Sequence, residues 1–168
     1  YVACAAALVL VFCGVSFGIE KGDRPPVSPA WVFDHWVWED DENTEKALWE
    51  MIDGYERHGI PVGAVVIDSP WATEYNNFVW NREQYPDPEG MVKRLHERGI
   101  RVILWVTGVL NLKTDAGKFE PRTHAVYDEA KEKGYLCNDG KTYKWWKGEG
   151  AFIDYTNPAA LKWWHGLM

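Results

Sequence analysis

The chain has 168 residues, 25 acidic against 18 basic, and a formal net charge of −7. That is one domain's worth of protein with an acidic surface and no Lys/Arg cluster, which argues against nucleic acid as a partner. Hydrophobic residues at 46% exclude a disordered chain, and eleven Trp, eight Tyr and six Phe bring the aromatic share to 15%, more than a core of this size needs.

Residues 1–19, YVACAAALVLVFCGVSFGI, carry no charged side chain, and Glu20 is the first ionisable group after Tyr1. The stretch just reaches the roughly 20 residues of a membrane-spanning helix, and its Ala, Gly, Ser and Cys content also fits the core of a secretory signal. The expectation is a signal peptide or membrane anchor over 1–19, the former favoured, with the body secreted or membrane-anchored, outside the cytosol. Residues 20–30 read as a linker. Cys4 and Cys13 fall in the apolar segment and leave Cys137 alone in the body, so no disulfide framework is expected.

From Trp31 on, the sequence alternates apolar strands with amphipathic helices. Strand one is expected at WVFDHWVW, 31–38. Asn43 or Thr44 then caps a helix that buries Ala47, Leu48, Met51, Ile52 and Tyr55 and stops at His58-Gly59. Strand two, VGAVVID at 62–68, is apolar almost throughout, as parallel strands covered on both faces are. After a polar loop, Asp87 caps a second helix with Pro88 in its first turn and Met91, Val92 and Leu95 on its buried face; it stops at Arg98-Gly99. Strand three is RVILWV, 101–106, and the two Gly-Ile junctions, at Gly59 and Gly99, read as one turn used twice. A long loop is expected over 107–150, then AFIDYTNP and a third helix from Asn157-Pro158. The elaborate segments all follow strands, which favours a (β/α)8 barrel over an open doubly wound sheet, because barrels build their sites from those loops. A complete barrel takes roughly 250 residues, so residues 31–168 are expected to be its first three βα units. The start at Tyr1 and the helix running out through Leu161–Met168 agree with part of a longer protein.

The chemistry-bearing positions follow from that layout. Asp68 ends an otherwise apolar strand, where barrel side chains point to the active-site mouth and a carboxylate needs a ligand or a partner. A cap or an ion pair would satisfy it as well. Glu39, Asp40 and Asp41 hold the corresponding place after strand one, although acids running into a helix start also suit its dipole. Trp145-Trp146, followed by Lys147-Gly148, read as a sugar platform or as a plug for the barrel top. Asp154 beside Thr156 and Asn157 reads as a hydrogen-bonded turn, and Trp163-Trp164 as helix packing. Gly140-Lys141-Thr142 lacks the glycine that a phosphate loop needs at position 135, where Tyr135 stands, and no GxGxxG follows a strand. The five His do not fall at metal-ligand spacing, so neither metal nor cofactor is expected. Arg82, Arg101 and Arg122 remain available for a single anion site.

WVFDHWVW, then IPVGAVVIDSPWATEYNNFVWNREQYPDPEGMVKRLHERGIRVILWV, then WWKGEGAFIDYTNP, resemble the first part of the catalytic barrel of glycoside hydrolase family 31, over about residues 26–168. The resemblance implies a retaining α-glycosidase acting on α-linked oligosaccharides or glycosides. It implies that Asp68 binds hydroxyls of the sugar in subsite −1 and that Trp146 lines the same subsite. Trp38, Asp40, Trp71 and Trp145 are lesser substrate-binding candidates. Asp154, Asn157 and Pro158 match a structural turn. The family's nucleophile and acid/base lie after strand three, beyond Met168, so no catalytic carboxylate is expected within this chain. Three departures stand out: Pro70 where many members have a second Asp, Asp40 where an aromatic sugar contact follows strand one, and Thr107-Gly108 in place of Asp-Pro. Pro70 and Asp40 sustain a rival reading as a non-catalytic carbohydrate-binding or membrane-anchored protein.

Overall fold

A computed structural model describes residues 27–40, 42–114 and 121–168. The apolar segment 1–19, most of the linker and Asp41 lie outside the described residues, and among those described no helix is long and apolar enough to cross a membrane. The chain divides between Val32 and Phe33. Ahead of that boundary, the Pro29 carbonyl accepts the Val32 N–H at 3.1 Å, and Ala30–Phe33 is a 3-10 turn. The first strand therefore starts later than the sequence suggests.

The second unit, from Phe33 on, opens with three parallel strands, β1 (Trp36–Glu39), β2 (Ala64–Ile67) and β3 (Arg101–Leu104), in the order β1-β2-β3. Val37, Val65 and Val102 form one row across them, and Trp38, Val66 and Ile103 the next. Helix α1 (Glu45–Arg57) joins β1 to β2, and α2 (Pro88–Glu97) joins β2 to β3. The Thr44 hydroxyl accepts the Ala47 N–H at 3.1 Å and so decides the cap of α1, and the Asp87 carboxylate accepts the Gly90 N–H at 3.1 Å ahead of α2. Both helices end alike. Gly59 and Gly99 take φ of 70° and 77°, the Ile60 N–H reaches back to the Tyr55 carbonyl, and the Ile100 N–H to that of Leu95. Only glycine enters that left-handed step without strain, which is why the junction recurs.

Leu48 and Ile52 of α1, Met91 and Leu95 of α2 and Val37, Val65 and Ile67 of the strands share one core with Trp71, Tyr85 and Ile100. The two helices thus cover the same face of the sheet. The opposite face stays open, with Trp38 56% exposed, so β2 is less completely covered than its apolar run implies.

The stretch expected as a loop carries its own structure. β4 (Val109–Thr114), β5 (Tyr143–Trp145) and β6 (Gly148–Phe152) form an antiparallel sheet in the order β4-β6-β5, with α3 (Pro121–Glu132) between β4 and β5. Leu110, Val126, Tyr127, Ala130, Leu136, Ala151 and Ile153 make a second core, to which α4 (Pro158–Leu167) adds Ala160 and Trp164. Asn157 caps α4 by accepting the N–H groups of Ala159 and Ala160, as the Asn-Pro step predicts.

Candidate functional site

The C-terminal ends of β1, β2 and β3 meet the tip of the β5–β6 hairpin around a cleft of about 330 Å³, lined by Trp38, Asp40, Asn43, Asp68, Ser69, Pro70, Trp105, Trp146 and Lys147. Trp38 is the last residue but one of β1, and Asp68 and Trp105 follow directly on β2 and β3. There the backbone leaves the ladder and side chains project over the end of the sheet.

Asp68 is the hinge of this arrangement. One carboxylate oxygen accepts the Ser69 N–H and caps the 3-10 turn Ser69–Trp71; the other accepts the Trp38 indole N–H at 2.9 Å. The alternatives left open by the sequence, cap or cleft wall, are both met by one carboxylate, whose remaining lone pairs can still accept from hydroxyl donors. Tyr85, within the field of this carboxylate, is 1% exposed. Burial first, then the charges of Asp68 and Glu39, push its phenol far above the ordinary value, so it stays a neutral neighbour. Asn43 donates from Nδ2 to the Asp40 carbonyl at 2.9 Å, and its Oδ1 is buried with no hydrogen-bond partner.

The hairpin tip supplies the other wall. Trp145 pairs with Gly148 across the ladder, leaving Trp146 and Lys147 as a two-residue loop. Trp146 is 70% exposed, with the Lys147 ammonium 4.7 Å from its ring centroid. Trp145 does not line the cleft: its indole N–H donates to Asn111 Oδ1 at 2.7 Å and its ring meets Tyr75 edge-on at 5.5 Å. Nor does Trp71. It is 5% exposed, donates to the Trp105 carbonyl at 2.8 Å and packs on Trp80 and Phe78, which makes it a core residue.

Other sequence candidates sit elsewhere. Asp154 accepts the Thr156 hydroxyl at 2.6 Å and its N–H at 3.0 Å, bonds that hold its carboxyl below the ordinary range and form the expected turn. Arg82 is paired with Glu89 at 2.6 Å. Arg101 opens β3, at the end of the sheet away from the cleft. The Arg122 side chain and Asp41 lie outside the described residues. Asn43, Trp105 and Lys147 were missed. For Trp105 the signal existed, since it follows strand three as Asp68 follows strand two.

A sequence model of the glycosyl hydrolases family 31 TIM-barrel domain matches residues 25–168. The chain belongs to glycoside hydrolase family 31. Among curated members, the α-xylosidase XylQ of Lactiplantibacillus pentosus is 35% identical over 148 residues, 83% of this chain and 18% of that protein. α-Glucosidase 2 of Bacillus thermoamyloliquefaciens is 27% identical over 145 residues, 84% of this chain and 17% of that one. The chain therefore spans about a fifth of the length of the curated relatives it matches. Among solved structures, the cycloalternan-degrading enzyme from Trueperella pyogenes, in complex with a covalent intermediate, superposes with a TM-score of 0.73 at 28% identity over 86% of this chain and 23% of that one. Family 31 membership makes the β1-β2-β3 sheet part of an incomplete TIM barrel and selects the barrel over the doubly wound alternative. At Thr107-Gly108, a Cβ on Gly108 would lie 2.7 Å from the Tyr155 hydroxyl.

Proposed function

We propose that the protein is a retaining α-glycosidase and that this chain supplies one side of its subsite −1. Asp68 would accept sugar hydroxyls, and Trp146 would present an apolar ring to the sugar's C–H face. The observation that carries this reading is the convergence of Trp38, Asp68 and Trp146 on one cleft at the strand ends where barrel enzymes work. A retaining mechanism needs two carboxyl groups about 5 to 5.5 Å apart, one attacking the anomeric carbon and one protonating the leaving oxygen. The family resemblance assigns both to later barrel strands beyond Met168, so residues 27–168 alone are expected to be inactive.

The test is turnover of p-nitrophenyl α-xyloside and α-glucoside by the full-length protein. Asp68→Ala is expected to lower kcat/KM by about 10- to 100-fold, the worth of one hydrogen bond to a charged group. An unchanged kcat/KM would refute the role of Asp68; isomaltose binding without hydrolysis of any α-glycoside would favour the non-catalytic alternative that Pro70 and Asp40 sustain. Residues 1–19 are proposed to carry the body out of the cytosol, which N-terminal sequencing of protein recovered from medium and membranes checks. Recovery of uncleaved protein in the soluble cytosol alone would contradict it.

A further inference from the structure

We infer that Asn111, on β4 and outside the cleft, is the residue that positions Trp146 in it. The inference rests on the cleft being a sugar site. Asn111 is 0% exposed, and both ends of its amide bind the residues flanking Trp146: Oδ1 accepts the Trp145 indole N–H at 2.7 Å, and Nδ2 donates to the Lys147 carbonyl at 3.2 Å. One partner is only a donor and the other only an acceptor, so a carboxamide satisfies both, where Asp at the same place would leave the Lys147 carbonyl unmet and Leu would leave both. A buried polar group that loses a partner carries the full cost of its desolvation, so the pair of bonds holds the loop to a single arrangement.

Trp146 itself is mostly exposed, and its ring neighbours are Trp145, edge-on at 6.0 Å, and the Lys147 ammonium. Trp145 is held from its other side by Tyr75, which in turn meets Trp105 at 5.9 Å. Position therefore passes from β4 through Asn111 to the residues on both sides of Trp146, and from Trp105, just past β3, through Tyr75 to the residue before it. A sugar stacking on Trp146 meets a ring whose place is set by a side chain it never touches.

The test is a double-mutant cycle in the full-length enzyme with p-nitrophenyl α-xyloside and α-glucoside. Asn111→Asp keeps the acceptor for Trp145 and withdraws the donor to Lys147; Asn111→Leu withdraws both while keeping the branching at Cγ. Asn111→Asp is expected to raise KM about tenfold with kcat within about threefold, and Asn111→Leu to raise it further. In a Trp146→Ala background, Asn111→Asp is expected to change KM less than about twofold, because the residue acts through the ring already removed. Equal effects in both backgrounds, or an unchanged KM in Asn111→Asp while Trp146→Ala raises it, would overturn the inference and leave the sugar site standing. A KM indifferent to both Trp146→Ala and Asp68→Ala would remove the sugar site itself, and the inference with it.

Discussion

Asp68 spends one oxygen on the Ser69 N–H and the other on the Trp38 indole, so at this position fold and site share one carboxylate. Its place was legible because an acid closing an apolar strand needs a partner whichever fold it sits in. Gly148 is the opposite case. It takes φ of 137°, and a Cβ there would stand 2.0 Å from the Lys113 carbonyl oxygen, so β6 can lie against β4 and turn the hairpin only with glycine. Gly148→Ala is expected to cost about 1–3 kcal/mol through strain and clash. Gly166→Ala, near the end of α4 where a Cβ meets nothing within 4 Å, should be neutral or stabilising by up to about 1 kcal/mol. Thermal unfolding of both variants checks the contrast, and equal shifts would contradict it. In the sequence, Gly148 read only as the flexible neighbour of two tryptophans, since the backbone it must clear lies some thirty residues earlier in the chain.

The elements α1, β2, α2 and β3 announced themselves because their signals are local: a capping side chain, an apolar face, a closing glycine. Asp87 both caps α2 and meets Arg94 at 3.3 Å, and Asp87→Ala should cost about 1 kcal/mol, read as a lowered denaturation midpoint. The turn into α4 depends on pH. The hydroxyl and N–H of Thr156 favour the ionised form of Asp154 and lower its pKa. A depressed folded-state pKa contributes stability that is present above the unfolded value, about 4, and is lost as pH falls through the folded one. Thr156→Val should therefore be less stable than the parent above about pH 5 and converge with it in stronger acid; a gap independent of pH would contradict this. The sheet β4-β6-β5 was not legible. YKW and GEGAF lack the alternating β-branched pattern of strands. Their pairing depends on Gly150, where a Cβ would stand 2.2 Å from the Leu110 carbonyl oxygen, and so on a close backbone approach that composition does not announce.

At the scale of the molecule, α1 and α2 cover one face of the parallel sheet and the row Trp38, Val66 and Ile103 faces the other. Trp71, Phe78, Trp80, Leu104, Val106 and Leu167 also line an apolar cleft of about 260 Å³. Residues 27–168 expressed by themselves should therefore bind an apolar dye and self-associate, as open apolar faces and strand edges do. A dye-silent monomer with a cooperative thermal transition would contradict this. The sequence by itself determined the alternation of strands and helices, the caps of α2 and α4, the repeated glycine turn and the family, because each is written in residues close together in the chain. Only the tertiary structure decided which tryptophans face the cleft. Trp71, Trp145 and Trp146 are alike as side chains, but the Trp105 carbonyl takes the N–H of the first into the core and Asn111 takes that of the second beneath the hairpin. Trp146 is left to the cleft, and both of those partners lie 34 residues away in the chain.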